Sequence, residues 1–316
     1  MPLRVARLLA ACVWLVLAVP NGYSLREGLL YLGQWSAWRP AAVRPVSPDG
    51  PFGACYALAA QDNAGRHAFL LSELCAAGLA PIEVPVPEGG PPNLLVPLSP
   101  RGPYTLFVAH YDKDPDAPAF EAASDNTAAV AVLLAAARAL AHEPPTRPVA
   151  LLFAAAEERG LLGSRAFLAW AQATDWPIAE VINLDMLGRG RVALRPAGDA
   201  GLHFWLPGPG RLVYDGRGVG RATAYLPPDP RLKAELRGLM GRDLTVWRRV
   251  VANTDAVVFQ AAGLPTVTLS SSDVYYMHLV WSRDADRVAL LDEAHLALAL
   301  DLVLGHTYQE PRGREP

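Results

Sequence analysis

From residue 104 onward the chain alternates two patterns. Short unbroken apolar runs end in polar residues, and longer Ala- and Leu-rich stretches carry helical spacing. "YTLFVAHYD" (104–112), "RPVALLFAAAEE" (147–158), "IAEVINLDM" (178–186) and "PTVTLSS" (265–271) read as strands covered on both faces. Between and after them, "NTAAVAVLLAAARALAHE" (126–143), "GLLGSRAFLAWAQAT" (160–174), "DAVVFQAAGL" (255–264) and "DEAHLALALDLVLGHT" (292–307) read as helices, the last of them amphipathic. This alternation predicts an α/β fold: a single three-layer domain whose mostly parallel central sheet is flanked by helices.

Upstream, "GRHAFLLSELCAAGL" (65–79) has helical spacing, and "PIEVPV" and "NLLVPLS" read as short edge strands broken by proline. Residues 189–250 are less regular, rich in Gly, Pro and Arg, with one helix expected at "DPRLKAELRGLM". "GRGVGR" (216–221) imitates a dinucleotide loop by letter only, because no strand precedes it and no apolar helix follows. No internal repeat or linker divides the chain. The N-terminus differs: a basic lead, "MPLRVAR", an apolar run, "LLAACVWLVLAV", and turn-forming or small residues from Pro20 to Ser24. Residues 1–24 are therefore expected to be a signal peptide or an N-terminal anchor, and 25–316 the domain. The apolar run is shorter than the roughly 20 residues a spanning helix needs, which favours a cleaved signal and an exported, periplasmic or secreted protein. In "LAAC" the apolar run follows the cysteine instead of preceding it, which argues against lipidation at Cys12. Cys55 and Cys75 would remain after cleavage and could pair in an oxidising compartment.

Composition changes this picture little. Of 316 residues 52% are hydrophobic and 19% charged, an ordinary globular balance, and the net charge of −3 gives no reason to expect nucleic acid as a partner. Lys113 and Lys233 are the only lysines. Contact with a membrane is expected only through an uncleaved N-terminal segment.

Candidate chemistry collects at the strand ends. In a parallel α/β sheet the carboxyl ends of the strands share one edge, where ligands bind. His110 and Asp112 end the first central strand, Glu157 and Glu158 the second and Asp185 the third, while Asp125 precedes the helix after the first strand. Such a crowd in a low-dielectric crevice repels itself unless a cation neutralises it. Mixed imidazole and carboxylate donors suit zinc, with manganese or cobalt as replacements. His278, after "PTVTLSS", adds a second imidazole. The set exceeds one tetrahedral ion and suits two ions about 3.5–4 Å apart that share a carboxylate.

"VAHYD", "ASDNTAAVAVLL", "AAEERGLLGSRAF" and "INLDMLG", in this order and spacing, resemble the co-catalytic zinc aminopeptidases of the M28 peptidase family, over about Tyr104 to Thr307. The resemblance implies two zinc ions. Asp125 would bridge them, His110 and Asp185 would complete one site, and Glu158 and His278 the other. Glu157 is left as the general base, and Asp112 as the partner that holds the His110 ring in its ligating tautomer. The implied activity is hydrolysis of the N-terminal bond of peptides with a free N-terminus. A glutaminyl cyclase, a single-zinc acyltransferase of similar fold, is the alternative, and a peptide-binding domain without metals is disfavoured by the complete ligand set.

The chain departs from the family pattern near its end. Leu279 follows the last ligand histidine where Thr is usual, and Asp284 and Asp286 are slightly displaced from the usual Asp-Thr pair. Met277 stands where some members carry a tyrosine, with Tyr276 one residue earlier as a substitute aid to the oxyanion. Ala256 replaces a usual histidine, whereas Asp255 survives as a candidate wall of the substrate pocket. His142 near a helix C-terminus fits a dipole partner, and His67, His203, His295 and His306 have no spaced acidic companions; all are expected to be structural or at the surface. Ser164 lacks the surroundings of a nucleophile.

Overall fold

The computed structural model describes residues 21–39, 43–87, 90–206, 210–215 and 218–309. Its strands are β1 (Ile82–Val84), β2 (Asn93–Pro97), β3 (Tyr104–His110), β4 (Val149–Ala154), β5 (Ile178–Leu184), β6 (Val192–Arg195), β7 (Ala197–Gly198), β8 (Gly201–Trp205), β9 (Arg211–Tyr214), β10 (Val219–Arg221), β11 (Tyr225–Leu226), β12 (Thr245–Val246), β13 (Val250–Val251) and β14 (Thr266–Ser271). Its helices are α1 (21–37), α2 (Ala54–Ala59), α3 (Asn63–Ala76), α4 (Ala128–His142), α5 (Leu162–Ala173), α6 (Pro230–Met240), α7 (Ala256–Ala261), α8 (Val274–Val280) and α9 (Glu293–Thr307).

An eight-stranded sheet in the order β1-β2-β4-β3-β5-β14-β6-β12 forms the middle layer. Its centre, β4-β3-β5-β14, is parallel throughout, and antiparallel joins at β2 and β6 extend it. The central strands are covered on both sides, so consecutive residues enter different cores. Phe107, Ala109, Leu151, Phe153 and Ile182 pack in the core shared with α4 and α9, whereas Leu106, Val108, Leu152 and Val181 meet Phe167 of α5 and Phe259 of α7. This two-sided cover is why the strands are continuous apolar runs instead of alternating ones.

The α9 helix departs from the amphipathic expectation: between Glu293 and Thr307 only Ala294 and Asp301 are exposed, because α4 and α6 both pack on it. His306 is structural, as expected, but through a partner that local spacing does not reveal: it is buried against Glu180 (2.8 Å), 126 positions away, and beside Arg147. The irregular stretch 189–250 holds the strands β6 to β13, including a small sheet in the order β10-β9-β8-β13. Cys55 and Cys75 are free thiols, Cys55 buried and Cys75 exposed. Within "GRGVGR" residues 219–221 form β10, while 216 and 217 lie outside the described residues.

Most of the expected leader lies outside the described residues. Residues 21–24 belong to α1, which is seated on the domain by polar side chains. Asn21 exchanges two hydrogen bonds with the Trp205 backbone (2.9 and 2.6 Å), and Ser24 Oγ donates to the His203 carbonyl (2.6 Å). The buried Glu27 carboxylate accepts the backbone N–H groups of Arg248, Arg249 and Val250 (2.9, 2.9 and 3.0 Å). Farther along, Gln34 donates to the Ser272 carbonyl (3.0 Å) and accepts from the Tyr275 N–H (3.2 Å). No helix among the described residues is long and apolar enough to cross a membrane.

Candidate metal centre

His110 closes β3 and is 1% exposed. Its Nδ1 faces Asp112 Oδ1 at 3.4 Å, which leaves Nε2 turned toward Asp125 Oδ1 (3.2 Å) and Asp185 Oδ2 (3.8 Å). Ligand atoms of His110, Asp125 and Asp185 all lie within 4.8 Å of one another in a buried cluster, a set that fits one metal ion. Asp112 does more than face the ring: its two oxygens accept the N–H groups of Glu157 (2.9 Å) and Glu158 (3.1 Å). One carboxylate thus ties the end of β3 to the turn after β4, as is common for groups that orient metal-bound imidazoles.

Asp125 sits in a single wide turn, Ala123–Thr127, whose backbone is non-helical at Asp125 and Asn126 before α4 begins. The turn is clamped from two sides. Asp286 accepts the N–H groups of Ser124 (2.8 Å) and Asp125 (3.0 Å). The buried guanidinium of Arg66 donates to the carbonyls of Tyr111 (3.1 Å) and Glu121 (2.8 Å) and to Thr127 Oγ1 (2.7 Å). Neither Asp286 nor Arg66 was marked by the sequence as a support of Asp125, since their partners are remote in the chain.

Electrostatics fit a cation. Burial pushes Glu158 up to about 8 and Asp185 up to about 7, with Asp125 adding to both. Burial likewise holds Glu157 well above the ordinary carboxylate range, opposed by His110 and reinforced by Asp255, Asp185 and Asp125. Burial would lower His110, but Glu157, Asp112 and Asp125 carry it well above its usual value. Burial alone would raise Asp112. The His110 ring and the two amide hydrogens nevertheless bring it below the ordinary value. Carboxylates that hold protons in place of a counter-charge are what a bound cation would discharge. Arg195 on β6 is a cation the sequence did not single out; it is buried, and burial brings it down to about 10 against the pull of Asp185 and Asp125.

Glu157, Glu158, Asp125, Asp185 and His278 line one cavity of about 630 Å³. Its other walls are largely apolar and include Leu25, Leu29 and Leu32 of α1, with Leu202, Phe204 and Trp281. His278 reaches this cavity from α8 but stands apart from the three-residue cluster. Its ring packs edge-on to Tyr31 of α1 (5.8 Å between centroids), and no carboxylate among the described residues is within ion-pair distance.

Two expectations are corrected. Tyr276 is fully buried, stacked near Trp38 (6.0 Å) and pressed against Gly188, and does not line the cavity, whereas Met277 does. One residue along a helix turns the side chain by about 100°, so a tyrosine one place early faces the core. Asp255 also lies behind the cavity wall. It is buried, and burial pushes it up to about 6, so it acts on the site through its field on Glu157 and not as a pocket surface. Ser164 is structural, its Oγ donating to the Leu161 carbonyl (3.1 Å).

Residues 93–306 match the model of Peptidase family M28. No curated protein matches the chain. Among solved structures, the LapA aminopeptidase of Legionella pneumophila is similar with a TM-score of 0.59 at 16% identity, over 92% of this chain and 73% of that one. A leucine aminopeptidase precursor from Bacteroides thetaiotaomicron gives 0.61 at 16%, over 86% and 100%. A glutaminyl cyclase of Porphyromonas gingivalis gives 0.59 at 18%, over 83% and 97%. These likenesses establish the zinc-exopeptidase type of fold, and because the family model spans more than half of the residues and contains every strand-end motif, the chain belongs to peptidase family M28.

Proposed function

We propose that the protein is an exported metal-dependent aminopeptidase that hydrolyses the N-terminal bond of peptides with a free N-terminus. The observation that carries the reading is the three-residue cluster, two of whose members, Asp125 and Asp185, line the same cavity as Glu157. His110, Asp125 and Asp185 would hold one zinc ion; Asp125, Glu158 and His278 would hold the second. When bound, such ions polarise the scissile carbonyl and acidify a water near neutral pH.

The chain's own groups supply the rest. Glu157 is the carboxylate left over when the ligands are assigned. It takes a proton from the attacking water as the C–O bond forms and returns it to the nitrogen as the C–N bond breaks, so that one water is consumed per bond. Burial raises its affinity for protons, which suits a group that must take one from water and hand it on. Asp112 fixes both the His110 ring and the backbone from which Glu157 projects.

A second reading is a glutaminyl cyclase. It is favoured by the compactness of a cluster that fits a single ion, with His278 standing apart. Mass spectrometry of products from zinc-supplemented protein and a mixed set of unblocked peptides, one headed by glutamine, separates the two. Stepwise loss of N-terminal residues, abolished by a chelator, is expected. Loss of ammonia from the glutamine peptide alone would replace the aminopeptidase by the cyclase.

A further inference from the structure

The α1 helix is amphipathic the wrong way round for a helix that meets only water. Its inward stripe is Asn21, Ser24, Glu27, Tyr31 and Gln34, at spacings of three and four, and all but Tyr31 engage the domain by the hydrogen bonds given above. Its exposed residues include Leu25, Leu29 and Leu32, which border the cavity, together with Tyr23, Arg26, Leu30 and Trp35, with Leu29 68% and Trp35 59% exposed. A helix of a water-soluble domain shows the opposite arrangement.

The exposed apolar surface continues beyond the helix. Asn21 and Ser24 seat α1 on β8; β9 pairs with β8 and β10 with β9. On that hairpin Tyr214 and Val219 are opposite each other in register and both exposed, Val219 at 68%. Trp281, just after α8, is exposed at the same cavity, which Tyr214 also lines. Of the exposed large apolar residues elsewhere on the described surface, only Tyr56 and Ile82 remain. Leu25, Leu29, Leu32, Tyr214 and Trp281 line the cavity, with Tyr23, Leu30 and Trp35 on the same helix as the leucines and Val219 paired to Tyr214, and this set is the collar at its mouth. A contiguous apolar patch of this kind marks an interaction site.

We infer that this collar docks on a lipid bilayer, so that the cavity opens at the membrane surface. Two observations favour a bilayer over a protein partner. Where the leader is retained, its apolar run 8–19 ends two residues before Asn21, so a bilayer that takes up that run is brought to α1. The collar also joins leucines to Trp35, Trp281 and Tyr214, the aromatic types that settle at the interface, while the one acidic residue of α1, Glu27, is buried. Interfacial helices bind in this way, without spanning. The inference does not depend on the proposed reaction.

The test uses the full chain with its apolar run broken by Leu15→Asp and Leu17→Asp, so that the leader no longer binds lipid. Sedimentation with vesicles of phosphatidylethanolamine containing a minority of phosphatidylglycerol is the measurement. The broken-leader chain is expected to sediment with the vesicles, and adding Leu29→Asp with Trp35→Asp is expected to lower partitioning about tenfold or more. Val219→Asp, on the hairpin and away from α1, gives a second lowering that does not involve the helix. Circular dichroism checks that each variant is folded. A broken-leader chain that stays in the supernatant overturns the inference, as do collar substitutions without effect. A chain that ignores vesicles and forms dimers split by the collar substitutions would assign the surface to a second copy instead.

Discussion

Asp112→Asn isolates the contribution of one carboxylate that serves two strands. In the parent, Asp112 accepts the N–H groups of Glu157 and Glu158 and faces His110 Nδ1. Asparagine keeps one acceptor oxygen. Its amide nitrogen must then oppose either the Glu158 N–H or the Glu157 N–H together with the His110 ring, and a buried N–H without an acceptor costs about 1–3 kcal/mol. Loss of the partner that orients a ligating imidazole lowers metal affinity about 10- to 100-fold, equivalent to about 1.4–2.7 kcal/mol. Two effects should therefore appear together: a less stable metal-free protein in urea unfolding, and weaker zinc binding in competition with a chromogenic chelator. Weaker zinc binding at unchanged metal-free stability would place Asp112 at the ring alone. If zinc affinity stayed within about twofold of the parent and stability were unaltered, the carboxylate would hold neither group and the argument would fail.

Other outcomes follow from the same geometry. Glu157→Gln should keep zinc and lower kcat about 10²- to 10⁴-fold, whereas Asp125→Ala should lose zinc as well; near-normal turnover in Glu157→Gln removes the assignment of the base. Glu158, Asp185 and Asp286 are carboxyls raised by burial to about 8, 7 and 8. The folded, metal-free chain therefore holds protons that the unfolded chain has already released, and its stability falls as pH rises from the ordinary carboxylate range through those values. The raised His110 adds the same sign. Thermal unfolding in a chelator should thus give a lower midpoint at high pH than at mildly acidic pH, and zinc should reverse the trend; a midpoint that rises with pH in the chelator contradicts it. Glu27→Gln removes a buried carboxylate that accepts three backbone N–H groups, which should loosen α1 and make the chain around it sensitive to limited proteolysis, while cleavage unchanged from the parent would show that the polar stripe does not hold the helix.

The strands and their terminal acids were legible because two-sided burial imposes an unbroken apolar run and the run ends where the crevice begins. Glu157 and Glu158 are the clearest case, since the six-residue apolar strand runs on through Ala155 and Ala156 to two acids in the turn after it. The α1 helix was not legible: its leucines continue the apolar character of the leader, and its inward residues are polar, so no apolar stripe marks the packed face. Arg66, Arg195 and Asp286 were missed as supports for a different reason. Their partners are remote in sequence, and one hydrogen-bonding side chain leaves no periodic trace. Tyr276 was misplaced because a shift of one residue, harmless in a loop, is a change of face on α8.

The clamp on Asp125 sets an order of assembly. Asp286 reaches back 161 positions to hold the Asp125 amide, and His278 also comes from the last part of the chain. A nascent chain already carries His110, Asp125, Glu158 and Asp185 but lacks the residue that shapes the turn holding Asp125. That turn is completed only when the C-terminal segment has folded onto the sheet, so the proposed metal site would be finished late.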